Sequence, residues 1–263
     1  MSSDSTKKTI SVALGVCLVC SVFVSSATVA LDSVQRQNKK LDKIKNILQA
    51  GNLTFNINNA EEIFKEKIVP VIVDLENGSV LDKSKYTADL NPESFNIKSL
   101  SESKNYGKDI LPEEDLGNIK KRPKYMLSYE VLNSDKQIEK YIFPIFGKGL
   151  WSTMYGFIAL NKDLRTVEGI TFYEHGETPG LGGEVDNQNW KASWKGKEMF
   201  DEKGNEVLTV LKGKVDPNDP NKNKQIDGLS GATLTTRGVG NLIKYWMGED
   251  GYAKFLGNIR KDI

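Results

Sequence analysis

The strongest constraint in the sequence is a run of 22 residues without a formal charge, Ile10–Leu31, bounded by Lys7 and Lys8 before it and Asp32 after it. At about 1.5 Å of rise per residue, a helix of that length crosses the roughly 30 Å hydrocarbon core of a bilayer, which predicts one transmembrane segment over 10–31. Ser25-Ser26-Ala27 offers the small residues of a signal-peptide cleavage site, and cleavage there predicts a mature N-terminus near Thr28. The apolar run continues past that site to Leu31, which favours a retained anchor. The flanks carry Lys7 and Lys8 on one side and Arg36, Lys39, Lys40, Lys43 and Lys45 on the other. Read literally, the positive-inside rule puts the large domain in the cytoplasm, but long domains cross membranes largely regardless of such charges.

Composition then removes several function classes. The net charge is +1, with acidic and basic residues interleaved, so the chain lacks the basic footprint of a nucleic-acid binder. Nor does it carry a polybasic membrane-hugging surface. Both cysteines, Cys17 and Cys20, lie inside the apolar run and read as small packing residues. The body therefore has no thiol for a disulfide, a zinc–thiolate site or an Fe–S cluster. With one histidine, His175, a His-rich metal site is excluded as well. His175 has no readable partner and reads as structural, so neither catalytic residues nor metal ligands are expected.

The expected organisation is a cytoplasmic N-terminus at 1–9, the membrane helix at 10–31, a helical and irregular region at 32–122, and a principal domain at 123–263. Apolar residues at Val34, Leu41, Ile44, Ile47 and Leu48 predict an amphipathic helix running on from the membrane and closing at Gly51. A short helix at Ala60–Lys67 and an edge strand at Ile68–Val73, marked by Pro70, follow. Residues 76–122 read as a long polar excursion. Strands are predicted at Tyr125–Leu132, Ile138–Phe146, Met154–Leu160 and Thr166–Tyr173, joined by short turns that argue for an antiparallel sheet rather than βαβ units. A helix at Glu184–Trp194, a strand at Val207–Leu211, a loop at Lys214–Gln225 and a closing helix at Ala232–Met247 complete the reading, with Gly248 and Gly251 as further stops. The fold class is α+β, one N-terminal transmembrane helix followed by an antiparallel sheet with flanking helices.

Three segments are too rich in glycine to be ordinary turns: Gly147-Lys148-Gly149-Leu150-Trp151-Ser152, Glu177-Thr178-Pro179-Gly180-Leu181-Gly182-Gly183, and Asp227-Gly228-Leu229-Ser230-Gly231-Ala232-Thr233. In the third, glycines allow close backbone approach, Ser230, Thr233, Thr235 and Thr236 bring hydroxyls, and a helix N-terminus follows, which together suit a phosphate group. The competing reading is a plain N-cap, with Ser230 or Thr233 satisfying the first helical amides. A serine hydrolase is set aside, because Ala232 stands where the nucleophile frame needs its second glycine.

The third segment resembles the flavinylation motif of the FMN-binding domain family, D-x-x-[ST]-G-A-T, whose last threonine carries FMN through a phosphodiester. Together with E-T-P-G-L-G at 177–182, Gly149-Leu150-Trp151-Ser152, the N-terminal membrane helix and the closing Tyr245-Trp246-Met247-Gly248, the chain resembles the C subunits of Na⁺-translocating NADH:quinone reductases (Nqr) along essentially its whole length. The resemblance implies covalent FMN at Thr233, attached by a periplasmic flavin transferase with FAD as donor. It also implies assembly with subunits A, B, D, E and F in the bacterial inner membrane, with a single span and the large domain periplasmic. The chain then serves as a one-electron relay between an intramembrane iron centre and the FMN of a neighbouring subunit, upstream of ubiquinone, with no NADH or quinone site of its own. By the same resemblance Asp227, Ser230, Gly231, Ala232 and Thr235 surround the attachment point. Glu177, Thr178, Gly180, Leu181 and Gly182 lie along the isoalloxazine, Trp151 belongs to the same cofactor site, and Lys212 is the ring's cationic neighbour.

Two alternatives stay open at this level. The G subunit of the Rnf complex shares the flavinylated threonine, although the excursion at 76–122 and the closing Tyr245-Trp246-Met247-Gly248 favour Nqr. A non-redox, membrane-anchored binding module would use S-G-A-T only as a helix cap.

Overall fold

The computed structural model describes residues 5–262. Helix α1, Thr6–Ala50, is a single 45-residue helix that merges the predicted membrane segment with the amphipathic helix after it. Chain up to Lys43 forms one unit and Ile44–Ile263 a second, compact one. In the first unit Leu14, Leu18, Phe23 and Val29 are exposed on different faces of the helix, as expected of a segment surrounded by lipid. The last turns of α1 belong to the second unit, where Ile47, Leu48 and Ala50 are buried.

The second unit continues with α2 (Ala60–Lys67), β1 (Ile68–Asp74), α3 (Ile97–Glu102), β2 (Gly107–Asp109), β3 (Lys121–Pro123), β4 (Tyr125–Leu132), β5 (Ile138–Lys148), β6 (Thr153–Asn161), β7 (Val167–Glu174), α4 (Gln188–Ala192), β8 (Thr209–Val210), β9 (Gln225–Ile226), α5 (Thr233–Met247) and α6 (Ala253–Asp262). A five-stranded antiparallel sheet in the order β1-β4-β5-β6-β7 forms its centre. Pro70 sits on edge strand β1, opposite Tyr129, where a missing N–H costs no ladder bond. The polar excursion holds the β2–β3 ribbon and α3, whose Asn96 side chain accepts from the Ser99 amide at 3.0 Å.

Pro144 is the exception, a buried proline inside central strand β5. The β4–β5 register pairs Tyr129 with Ile142, so Leu127 stands opposite Pro144, which has no N–H to offer it. The Tyr252 hydroxyl fills the gap, 3.0 Å from both the Leu127 and Pro144 carbonyls. Tyr252 is fully buried in an aromatic cluster with Phe143, Phe146 and Trp246. Helix α5 lies along β5, and Trp246 Nε1 donates to the Phe146 carbonyl at 2.6 Å.

Three local expectations are corrected. The helix predicted over 184–194 is broken into a 3-10 turn at Gly182–Asp186 and α4. Asn187 separates the two because its side chain accepts from the Asn189 and Trp190 amides and starts a new helix. The strand predicted at 207–211 shrinks to β8, paired in parallel with β9. Helix α6 follows the closing helix and was not foreseen.

Candidate functional site

Two of the glycine-rich segments and the first turn of α5 meet around one carboxylate, and the third segment touches the second beside it. Glu177 follows β7 and is 5% exposed. Its Oε1 accepts from the Trp151 and Ser152 amides at 3.0 and 3.2 Å. Its Oε2 accepts from the Leu150 amide at 3.2 Å and the Thr235 hydroxyl at 2.6 Å. Burial acts to raise the pKa of this carboxyl, and the bonds from Thr235, Trp151, Ser152 and Leu150 outweigh it, so the acid is held below its ordinary range.

The approach is close enough to require small residues. A Cβ on Gly149 would lie 2.5 Å from Glu177 Oε1, and one on Gly182 2.5 Å from Thr235 Oγ1. On α5, a Cβ on Gly238 would lie 2.5 Å from the Lys148 carbonyl, which brings the helix against the end of β5. Two turns shape the rim. Leu181 donates to the Thr178 carbonyl at 3.1 Å across Pro179-Gly180, and Ala232 donates to the Leu229 carbonyl at 3.1 Å across Ser230-Gly231. Gly180 and Gly231 take φ of +75° and +71°, the left-handed third position of a type II turn. A Cβ on Gly231 would stand 3.0 Å from Leu181 Cδ2, so these two turns touch.

Thr233 opens α5 just past that contact. The helix has Ala232 at its N-cap and no side-chain cap bond, so its first amides are left to a ligand or water. Thr235 and Thr236 are buried, the first on Glu177 and the second accepting from the Leu229 amide at 2.9 Å. Among the described residues, the hydroxyls of Ser230 and Thr233 have no hydrogen-bond partner. The plain N-cap reading therefore fails: neither hydroxyl caps the helix. Around this point Leu150, Trp151, Leu181 and Leu234 are 40%, 66%, 45% and 52% exposed. A phosphodiester on Thr233 suits the open helix N-terminus, and a flat aromatic ring system suits the exposed apolar side chains.

The other expected site residues divide. Thr178, Gly180, Ser230 and Gly231 are exposed and Ala232 is buried at the site. The Asp227 carboxylate is committed to the fold, accepting from the Val215 amide at 2.7 Å. Lys212 is exposed at a bend, and its carbonyl faces Gly228. His175 does have a partner, contrary to expectation: Nε2 is 2.9 Å from Asp186 Oδ2, and Nδ1 accepts from the Glu177 amide at 3.2 Å. The Asp186 bond raises its pKa against the opposing effect of burial. Ser152, whose Oγ accepts from the Gly176 amide at 2.6 Å, and Leu150 were missed as site residues. Their place beside Glu177 depends on contacts 24 to 27 residues apart, beyond any local pattern.

The model of the FMN-binding domain family matches residues 149–248, a span holding all three loops apart from Gly147 and Lys148. The C subunit of a Na(+)-translocating NADH-quinone reductase from Pseudomonas aeruginosa is 44% identical, covering 98% of this chain and 97% of the relative. The chain belongs to the NqrC family. The corresponding C subunit from Yersinia pestis is 40% identical over 98% of this chain and 95% of its own. The crystal structure of Shewanella oneidensis NqrC superposes with a TM-score of 0.76 at 31% identity, covering 85% of this chain and 99% of that one. The expected family and the α+β fold with its N-terminal apolar helix are thus borne out, and with them a membrane-anchored NqrC architecture.

Proposed function

We propose that this chain is the flavin-bearing C subunit of a Na⁺-translocating NADH:quinone reductase, with FMN joined to Thr233 Oγ1 by a phosphodiester. The observation that carries this reading is the Thr233 hydroxyl itself, unpartnered at an uncapped helix N-terminus where three glycine-rich loops converge. A flavin transferase with FAD as donor forms the Oγ1–P bond and breaks the FAD pyrophosphate, with AMP as leaving group and the hydroxyl proton lost to solvent. The attached flavin supplies one-electron transfer between an intramembrane iron centre and the FMN of a neighbouring subunit.

This chain's residues bind and orient. The amides at the start of α5 would hold the phosphodiester, and Leu181, Leu234, Leu150 and Trp151 would form the apolar wall beside the ring. Covalent attachment keeps the cofactor present whatever the free FMN concentration. The partners are subunits A, B, D, E and F. The large domain lies on the periplasmic side of the inner membrane, where the transferase acts.

The test is co-expression with a periplasmic flavin transferase, followed by in-gel flavin fluorescence under denaturing conditions and intact mass. Fluorescence that survives denaturation and is lost in Thr233→Ala supports the reading; a dark, unmodified wild type overturns it.

A further inference from the structure

The loop at 149–152 and the first turn of α5 are far apart in sequence, yet one carboxylate holds both. Glu177 grips Leu150, Trp151 and Ser152 by their backbone amides, which leaves the Leu150 and Trp151 side chains exposed. It grips α5 through Thr235, two residues past Thr233. The glycines at 149 and 182 leave room for the carboxylate to reach both. The clamp is also braced from behind, since the Glu177 amide donates to His175 Nδ1 and His175 Nε2 meets Asp186.

We propose that Glu177 is a positioning residue for the flavin, fixing the loop at 149–152 against the first turn of α5 so that the apolar wall stands ready beside Thr233 before attachment. The inference rests on the flavin reading of Thr233 and gives Glu177 a role other than direct contact with the ring. The chemistry of the clamp requires a carboxylate. All four partners are donors, so the amide of glutamine would set an NH₂ group against donors on one side. Holding supporting loops in place in advance is the general route to a precise site.

The test uses the full-length chain with Glu177→Gln, Thr235→Val and Thr235→Ser. In flavin-free protein, amide exchange at residues 150–152 is expected to be at least about tenfold faster in Glu177→Gln, because the three amides lose their charged acceptor. In flavinylated protein, Glu177→Gln and Thr235→Val are expected to change the visible circular dichroism and midpoint potential of the flavin in the same direction, while Thr235→Ser restores both. Wild-type dichroism and potential in Glu177→Gln would overturn the proposal, even with faster exchange, because a purely structural anchor predicts that result. If Glu177→Gln fails to fold, the Thr235→Val and Thr235→Ser pair decides the same question: unchanged flavin properties in Thr235→Val overturn it. Failure of the flavin reading is seen separately, as a wild type without covalent flavin, and removes this inference with it.

Discussion

Arg122 and Asp250 form a two-bonded ion pair between β3 and the turn after α5, with Nη2 2.7 Å from Oδ1 and Nε 3.1 Å from Oδ2. Arg122 is 1% exposed. The same carboxylate accepts from the Tyr245 hydroxyl at 2.5 Å and from Lys108 Nζ at 3.0 Å. Burial acts to raise the Asp250 pKa, and Arg122, Tyr245 and Lys108 outweigh it and hold the acid well below the usual range.

Asp250→Ala leaves the Arg122 guanidinium buried without its counter-ion and is expected to cost about 3–5 kcal/mol in chemical denaturation. A depressed carboxyl pKa contributes stability that is complete above the unfolded value near 3.9 and is lost as pH falls through the folded value. The wild type should therefore lose stability below about pH 4, and Asp250→Ala should show a shallower acid slope in the same titration.

Glu206 has the opposite sign. Its Oε1 is buried with no hydrogen-bond partner among the described residues, and burial, opposed by Lys244, pushes the pKa to about 7. A raised carboxyl pKa makes the folded state hold its proton, so stability falls as pH rises from the unfolded value through about 7. Glu206→Gln removes that loss and should gain roughly 1–3 kcal/mol on the wild type between pH 5 and pH 8. Melting curves across that range check it, and a constant gap between the two proteins would refute it.

Thr233→Ala should be nearly silent in stability, within about 0.5 kcal/mol, because Thr233 makes no cap bond. A true N-cap would lose about 0.5–2 kcal/mol. Thermal melts of the flavin-free protein separate the two.

Two glycines of α5 should answer in opposite directions. Gly240→Ala meets only Val210 at 3.7 Å and should gain close to the 0.8–1 kcal/mol by which alanine exceeds glycine in a helix, taken as roughly that scale. Gly238→Ala meets the Lys148 carbonyl at 2.5 Å and should lose about 1–3 kcal/mol through forced separation of α5 from β5. Equal effects of the two substitutions would show that α5 does not pack this closely.

Much of the architecture was legible because it is written in local patterns. The apolar runs of β4 to β7 place those strands within two residues of their ends, and the Gly-Ala-Thr signal marks the start of α5. What escaped depends on distant partners or on short segments carrying a residue unfavourable to helix. Helix α6 is amphipathic but only ten residues long and carries Gly257 in its middle, and the break at Asn187 looks in sequence like an ordinary helical asparagine. At the site, the glycines pointed to the right three loops. Nothing local revealed that the Glu177 carboxylate turns inward to Leu150 and Thr235, 27 and 58 residues away, or that Asp227 serves the Val215 amide.

The proline in β5 ties the C-terminal end of the chain to the middle of the sheet, because the hydroxyl that serves it comes from Tyr252. Residues 149–248, the stretch shared with the wider FMN-binding family, contain β6 and β7 but none of β1, β4 and β5. They also stop short of Asp250 and of Tyr252, whose hydroxyl closes the seam between Leu127 and Pro144. A fragment trimmed to the family boundary would expose the edge of β6 that pairs with β5 and would leave Trp246 without the Phe146 carbonyl it bonds. Expression of a soluble flavin carrier therefore has to begin before β1 and run through α6.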